Sequence, residues 1–566
     1  MPYPLLQISD LQVDFISELG TTTAVKNISL EVNRGEIVAI VGESGSGKSV
    51  TSLSILQLLP TPPARYTAGS ILFSADGTSQ VNMLEQSAHQ LRTIRGHKIA
   101  MIFQEPMTSL NPVFTCGFQV MEAIRRHQQV STAEAKARTL ELFEKVKLPN
   151  PALLMDRYPH QLSGGQKQRV MIAMAMSCHP SLLICDEPTT ALDVTVQKTI
   201  LQLIRGLQET EKMGVIFITH DLGVVAEVAD RAIVMYKGAI VEQGSTKDIF
   251  HSPQHPYTKG LLACRPILHK KGERLPVVSD FLEGKNSSVK EVTAPLIVHS
   301  ADEPPLLKVE NLEVWFPARK TFFGKTLDYV KAVNDVSFSV RKGETLGLVG
   351  ESGCGKTTLG RSLLRLIDPT GGAIWYNGQN ITAIKKDALK ALRQNIQIIF
   401  QDPYSSLNPR MTIGDAITEP MQVHGLHNSN RQRKEWTMEM LQKVDLKPEH
   451  FNRYPHEFSG GQRQRIVIAR ALALGPTFVV CDESVSALDV SVQAQILNLL
   501  NDLKKEFDLT TIFISHDLSV VRYISDRILV MNKGMIEEMG NAEDIYSNPQ
   551  KEYTKQLIAS IPKAAI

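Results

Sequence analysis

At 566 residues the chain is about twice what one hydrophobic core sustains, which excludes a single domain; at ~150 residues per domain, about four compact pieces are expected. It is 43% hydrophobic and 21% charged, ordinary for a globular protein and unlike a disordered one. Its 61 Lys and Arg against 59 Asp and Glu leave +2, so no overall field holds a polyanion and nucleic acid is excluded as a main partner.

The opening MPYPLLQISD has neither a basic stretch nor a long apolar one, so no secretory leader is expected. The longest apolar stretch, Val170 to Cys185, is broken by His179-Pro180 and predicts a buried helix, a turn and a buried strand rather than a membrane span. Six scattered cysteines without C-x-x-C spacing predict neither disulfides nor zinc, and fit a reducing compartment.

The dominant feature is a repeat. GESGSGKS at Gly42–Ser49 returns as GESGCGKT at Gly350–Thr357, and IFQEP with Gln104 returns as IFQDP with Gln401, each followed by SLNP. RYPHQLSGGQ returns as RYPHEFSGGQ, LICDEP as VVCDES, and THDL as SHDL. The spacing between copies is 308 residues at Lys48 and Lys356 but 296 from Ser163 and Ser459 onward. The first copy therefore carries about eleven extra residues around Arg65–Arg95, and the rest is in register. The expected division is residues 1–269, a linker over 270–305, and residues 306–566. The linker lacks helical periodicity and is rich in Pro, Ser and charge; extended, it could span on the order of 100 Å. Whether Leu275–Leu282 forms a short strand packed locally is left open.

Within each copy, short apolar runs (EIVAIVG, SLLICDE, GVIFITHD) alternate with helical patterns. This predicts an α/β fold with a parallel sheet covered on both faces. Met121–Leu148 and Ile417–Val444 predict an inserted helical part in each copy.

G-x-x-x-x-G-K-[ST] between a strand and a helix is a phosphate cradle, since glycines turn backbone N–H groups inward and the helix N-terminus adds a positive end. The binding residues are Gly42, Ser44, Gly45, Gly47, Lys48, Ser49 and Val50, then Gly350, Ser352, Gly353, Gly355, Lys356, Thr357 and Thr358. Lys48 and Lys356 reach the β/γ-phosphates, and Ser49 and Thr357 ligate Mg²⁺. Apolar runs ending in Asp-Glu place Asp186 and Asp482 in the Mg²⁺ shell, and Glu187 and Glu483 as bases for the attacking water. A lone Asp-Glu pair commonly starts a surface turn; here the upstream loops point to chemistry. Cys354, at a helix N-terminus, is placed where thiol pKa values fall, although a small residue tolerated in the loop is the simpler reading.

Together, LSGGQ, DEPTTALD and THD after a phosphate loop resemble the ATP-binding subunit of ABC transporters, over both halves nearly end to end. The resemblance implies two tandem P-loop ATPase domains, each a mixed-sheet core with a helical subdomain, paired head to tail as an internal pseudo-dimer that sandwiches ATP twice. Gly42–Ser49 then faces Phe458–Gln462, with Ser459, Gly460, Gly461 and Gln462 on the nucleotide, and Gly350–Thr357 faces Leu162–Gln166, with Ser163, Gly164, Gly165 and Gln166. It also makes His220 and His516 switch histidines, Gln104 and Gln401 Q-loop residues that sense Mg²⁺, and Asp193 and Asp489 D-loop residues. Phe15 and Phe316 stand where the family stacks adenine. Ser484-Val485 replace the Pro-Thr of the first copy; Glu483 is retained, so both sites are expected to hydrolyse ATP.

The tails SPQHPYTKGLLACRP and NPQKEYTKQLIASIP resemble those of oligopeptide/dipeptide/nickel importer ATPases, here of a fused type similar to peptide importers of the Yej kind. The implied machine is a peripheral ATPase on the cytoplasmic face of the plasma membrane. Its partners are two integral-membrane permease subunits and an extracytoplasmic solute-binding protein, and its substrate is a di- or oligopeptide. Nickel, glutathione or another small solute is the alternative within transport; a soluble twin-cassette ATPase of translation or repair is the alternative outside it. With only Cys264 in the first tail, no iron–sulfur cluster is expected.

Overall fold

A computed structural model describes residues 3–561 except 19, 105–108, 191, 285–303, 321–325 and 487. Most of the expected linker therefore lies outside the described residues.

Each half is built on a six-stranded sheet. In the first half the order is Ala239–Ser245, Arg231–Tyr236, Ile37–Val41, Gly214–Thr219, Leu182–Asp186 and Ile99–Ile102. All pairs are parallel except the antiparallel edge pair. The strands Ile37–Val41, Leu182–Asp186 and Gly214–Thr219 are buried at every residue, as β-branched runs covered on both faces must be. The second half repeats the arrangement, with Thr345–Val349 between Thr510–Ile514 and Arg527–Asn532. Register decides which loops meet. Val41 pairs with Thr219, Asp186 with Ile218 and Ile102 with Cys185, so the loops carrying Gly42, Glu187, His220 and Gln104 leave one edge together.

A four-stranded antiparallel sheet accompanies each core. The extra residues of the first half lengthen its Ala64–Phe73 strand and the turn before Val81–Asn82, where the second half has Gly371–Tyr376 and an immediate turn to Gln379–Asn380. The inserted helices are Cys116–His127 and Thr132–Lys145, matched by Ile413–Val423 and Asn430–Lys443. Val170–Cys185 is helix, turn and strand as its sequence predicts. No helix among the described residues is long and apolar enough to cross a membrane.

The halves share one apolar cluster that includes Leu222 and Val225 of the first and Leu518, Val520 and Leu557 of the second. Residues 271–275 reach across to the second half. Leu275 is 2% exposed; its N–H donates to Asn498 Oδ1 at 3.0 Å, and Asn498 Nδ2 donates to its carbonyl at 2.8 Å. Tyr523 donates to the Glu273 carbonyl at 2.7 Å, and Arg274 pairs with Asp502. Val278–Leu282 is a short helix, not a strand. It packs on the tail helix Pro256–Ala263 so closely that a Cβ on Gly260 would lie 3.1 Å from Val278 Cα. A strand is not needed there because a side chain, Asn498, satisfies the Leu275 backbone.

Replacing the buried Asn498 with Ala leaves both Leu275 backbone groups unpaired and is expected to cost about 2 kcal/mol. Arg274→Ala, at an exposed ion pair, costs less than about 0.5 kcal/mol. Denaturant midpoints of the two variants of the full chain check the contrast.

Candidate nucleotide sites

The strand Ile37–Val41 runs into Gly42, and the helix Lys48–Ile55 begins after Gly47 at φ 101°. Gly355 holds the same place at φ 107°, where a Cβ would lie 2.1 Å from the Ala332 carbonyl oxygen. Only glycine fits such a position. Lys48 is buried, and its Nζ donates to the carbonyls of Gly42 (2.7 Å) and Glu43 (2.9 Å). Lys356 makes the same two bonds to Gly350 and Glu351. Burial holds Lys48 below its ordinary pKa, against the pull of Glu187 and three other carboxylates.

Ser49 Oγ donates to Asp186 Oδ1 at 3.1 Å, and Thr357 Oγ1 to Asp482 Oδ1 at 3.0 Å. Burial pushes Asp186 up to about 6 against that bond, and raises Asp482 likewise. Glu187 and Glu483 follow in the left-handed backbone region, φ 47° and 48°, an uncommon conformation for a residue with a side chain. Three donors converge on Glu187 Oε2: Gln104 Nε2 at 3.2 Å, Thr190 Oγ1 at 2.9 Å and His220 Nδ1 at 3.2 Å. Burial works upward on this carboxyl, but the bonds and charge from His220 and the Thr190 hydroxyl outweigh it and hold it below its ordinary value. In return, Glu187 raises His220 although burial opposes the imidazolium.

The second site has two of these donors: Gln401 Nε2 at 2.9 Å and His516 Nδ1 at 3.4 Å from Glu483 Oε2. Ser486, where the first half has Thr190, buries its hydroxyl without a hydrogen-bond partner. The changed turn after Glu483 thus removes one support from the carboxylate.

The sites are completed across the halves. Asp489 Oδ1 caps its own helix through Val492 N–H at 3.0 Å, and Oδ2 accepts from Ser44 N–H of the opposite loop at 3.3 Å. Asp193 caps Val194–Glu211 and lines a cavity of about 230 Å³ with Ser352, Gly353, Lys356, Thr357, Gln401, Glu483 and His516. Gly355, Thr358 and Ala332 complete its described lining. The signature residues do not line that cavity among those described. Ser163 and Ser459 cap the helices Gly164–Met176 and Gly460–Leu472, and Gln166 and Gln462 return the bond to the serine N–H at 3.0 and 3.1 Å. Each hydroxyl oxygen accepts, so its proton remains to be given. Phe15 is half-buried and packs on the first antiparallel sheet; Phe316 is exposed.

Cys354 departs from the expectation of a lowered thiol pKa. It precedes the helix rather than opening it and packs with Leu359 and Leu363, and burial raises its pKa. Sequence reasoning also passed over Thr190, Asn498, and the tail tyrosines Tyr257 and Tyr553, whose hydroxyls accept from Glu43 N–H (2.9 Å) and Glu351 N–H (3.1 Å). The Tyr-Thr pair shared by both tails was the available signal.

Two glycine-rich loops, each meeting an aspartate of the other half, belong to a twin ATPase cassette. The chain belongs to the ABC transporter family, whose model matches residues 25–190 and 333–486, and it is an ATP-hydrolysing member. The C-terminal region of oligopeptide/dipeptide transporters matches residues 241–284 and 538–565. The chain is 51% identical over 567 aligned residues to the glutathione import ATP-binding protein GsiA of Escherichia coli K12, covering 99% of this chain and 90% of that protein. The GsiA of Salmonella choleraesuis is 50% identical with the same coverage. Among solved structures, the dimeric bacterial ABC transporter cassette MJ0796 is 27% identical over 42% of this chain and 98% of its own, with a TM-score of 0.38.

Gly355→Ala collides with the Ala332 carbonyl and is expected to close the second site while sparing the first. Calorimetric titration with a non-hydrolysable ATP analogue then counts one site per chain instead of two.

Proposed function

We propose that this chain powers the import of glutathione or short peptides, by closing and reopening its two cassettes on the cytoplasmic face of two permease subunits fed by an extracytoplasmic binding protein. The observation that carries this reading is the end-to-end similarity to glutathione import ATP-binding proteins, 51% over 99% of the chain. The oligopeptide/dipeptide transporter tail in both halves supports it. Glutathione is itself a tripeptide, so the peptide expectation and its glutathione alternative converge. The reading without an iron–sulfur cluster rests on Cys264, the first tail's one cysteine, which is buried in the apolar cluster.

The residues fit ATP with Mg²⁺. Buried Lys48 and Lys356 stand at the cradle, and each loop hydroxyl already meets an aspartate, Ser49 with Asp186 and Thr357 with Asp482. One Mg²⁺ per site would be held by Ser49, Asp186 and Gln104 in the first half and by Thr357, Asp482 and Gln401 in the second, and would neutralise phosphate charge. ATP on Gly42–Ser49 is to be covered by Ser459–Gln462, and ATP on Gly350–Thr357 by Ser163–Gln166. The signature helix moves with the D-loop helix of its half, because Gly165 and Gly461 press on Val196 and Val492 with room for no Cβ (2.6 and 2.4 Å). The existing Asp489–Ser44 bond therefore brings the Ser459 turn toward the opposite loop.

Gln104, Thr190 and His220 quiet Glu187 by donating to its Oε2. A γ-phosphate offers His220 a better acceptor, and Glu187, losing that donor, regains basicity and takes a proton from the attacking water. Departure of phosphate returns His220 to Glu187. Opening and closing is a ligand-driven population shift.

Glu187→Gln and Glu483→Gln are each expected to slow their own site by about 10²-fold or more, so that each single variant falls below the wild-type ATPase rate. A wild-type rate for Glu483→Gln would show the second site silent. For transport, deletion of the gene should abolish uptake of labelled glutathione or a labelled dipeptide, with restoration by the intact chain and not by the double glutamine variant. Uptake of nickel alone, or purification of the chain with ribosomes rather than a permease pair, would sink the proposal.

A further inference from the structure

Each tail helix is pinned at its start. The Glu242 carboxylate, on the edge strand Ala239–Ser245, accepts from Gln254 N–H at 2.7 Å and His255 N–H at 3.1 Å. His255 Nδ1 in turn caps Tyr257 N–H at 3.1 Å. In the second half Glu538 accepts from Gln550 and Lys551 N–H groups at 2.8 and 3.2 Å. Pinned this way, the helices Pro256–Ala263 and Glu552–Ala559 aim one tyrosine each at the phosphate loop of their own half. Tyr257 is fully buried, its ring 4.3 Å from that of Tyr236.

The bond it makes is placed on one particular peptide unit. The N–H of the Gly42–Glu43 peptide donates to the Tyr257 hydroxyl, and the C=O of that same peptide accepts from Lys48 Nζ. The Gly350–Glu351 peptide is held identically, between the Tyr553 hydroxyl and Lys356 Nζ. A cation on the carbonyl polarises the N–H, and an acceptor on the N–H makes the carbonyl a better partner for the cation. The hydroxyl and the ammonium therefore reinforce each other through a plane that cannot twist. The far end of each tail rests on the other half: Lys198, on the first D-loop helix, donates to the Ala559 carbonyl at 2.8 Å, and Leu275 is bound by Asn498 of the second.

We propose that Tyr257 and Tyr553 are positioning residues for nucleotide binding, each holding through one peptide plane the lysine that meets the phosphates, and linking that loop through its tail to the opposite cassette. The inference rests on the reading of Gly42–Ser49 and Gly350–Thr357 as ATP loops. It assigns the tail, otherwise outside the catalytic machinery, a direct role in how tightly ATP is held.

Tyr257→Phe and Tyr553→Phe keep the ring and remove only the hydroxyl that accepts from Glu43 and Glu351 N–H. In the full-length chain, titration with a fluorescent ATP analogue should show the affected site weakened about three- to tenfold, the size of one lost buried hydrogen bond. The melting temperature should fall by no more than a few degrees, since the ring packing is retained, and the hydrolysis rate at saturating ATP should change less than about twofold, so that KM moves and kcat does not. Unchanged affinity in both variants overturns the proposal. So does a parallel fall of kcat and melting temperature, which marks the tyrosines as packing alone. If the wild-type chain binds no analogue in the same titration, the fault lies with the ATP-loop reading instead.

Discussion

A buried ammonium held by two backbone carbonyls organises each half of this molecule. Lys48 and Lys356 lie at 5% and 4% exposure, where a cation is costly unless its donors are met. Their answer is the turn itself: Gly42 with Glu43, and Gly350 with Glu351, present carbonyls inward because the loop passes through left-handed glycines. The lysine closes the loop, and the loop in turn holds the lysine in place.

Around that centre the same economy recurs, with polar groups engaged among themselves. Glu187 carries three donors on one oxygen, and the histidine among them is raised by the carboxylate it serves. Asp489 divides its two oxygens between its own helix and the opposite loop. The duplicated halves are not equivalent in this respect. Thr190 supports Glu187, whereas the Ser486 hydroxyl is buried without a partner beside Glu483. The two glutamates are therefore restrained to different degrees, although both share the strained backbone that aims them.

Much of the fold was legible because its signals are local. Runs such as Ile37–Val41 could only be central strands, and the Ser163 and Ser459 turns announce their helices by capping boxes. The residues that gather around Glu187 and Glu483 were legible as a set because the repeat presented them twice. The short segment after the first tail was not, since Leu275 is satisfied by a side chain 223 residues away. Cys354 misled for another reason: its place in the loop was plain, but its thiol is buried in the apolar cluster with Leu359 and Leu363, and that burial raises its pKa.

The sequence by itself determined two α/β cassettes, their phosphate loops, their acidic strand ends and their matching tails, all carried by residue types at short spacing. Tertiary structure alone decided which groups meet. That His220 and Gln104 share one oxygen of Glu187, that Asp489 reaches Ser44, and that Tyr257 and Lys48 grip opposite ends of one peptide all depend on strand register and on the seating of one half against the other. Those are properties of long-range packing, in which residues hundreds of positions apart come within hydrogen-bond distance, and no local pattern encodes them.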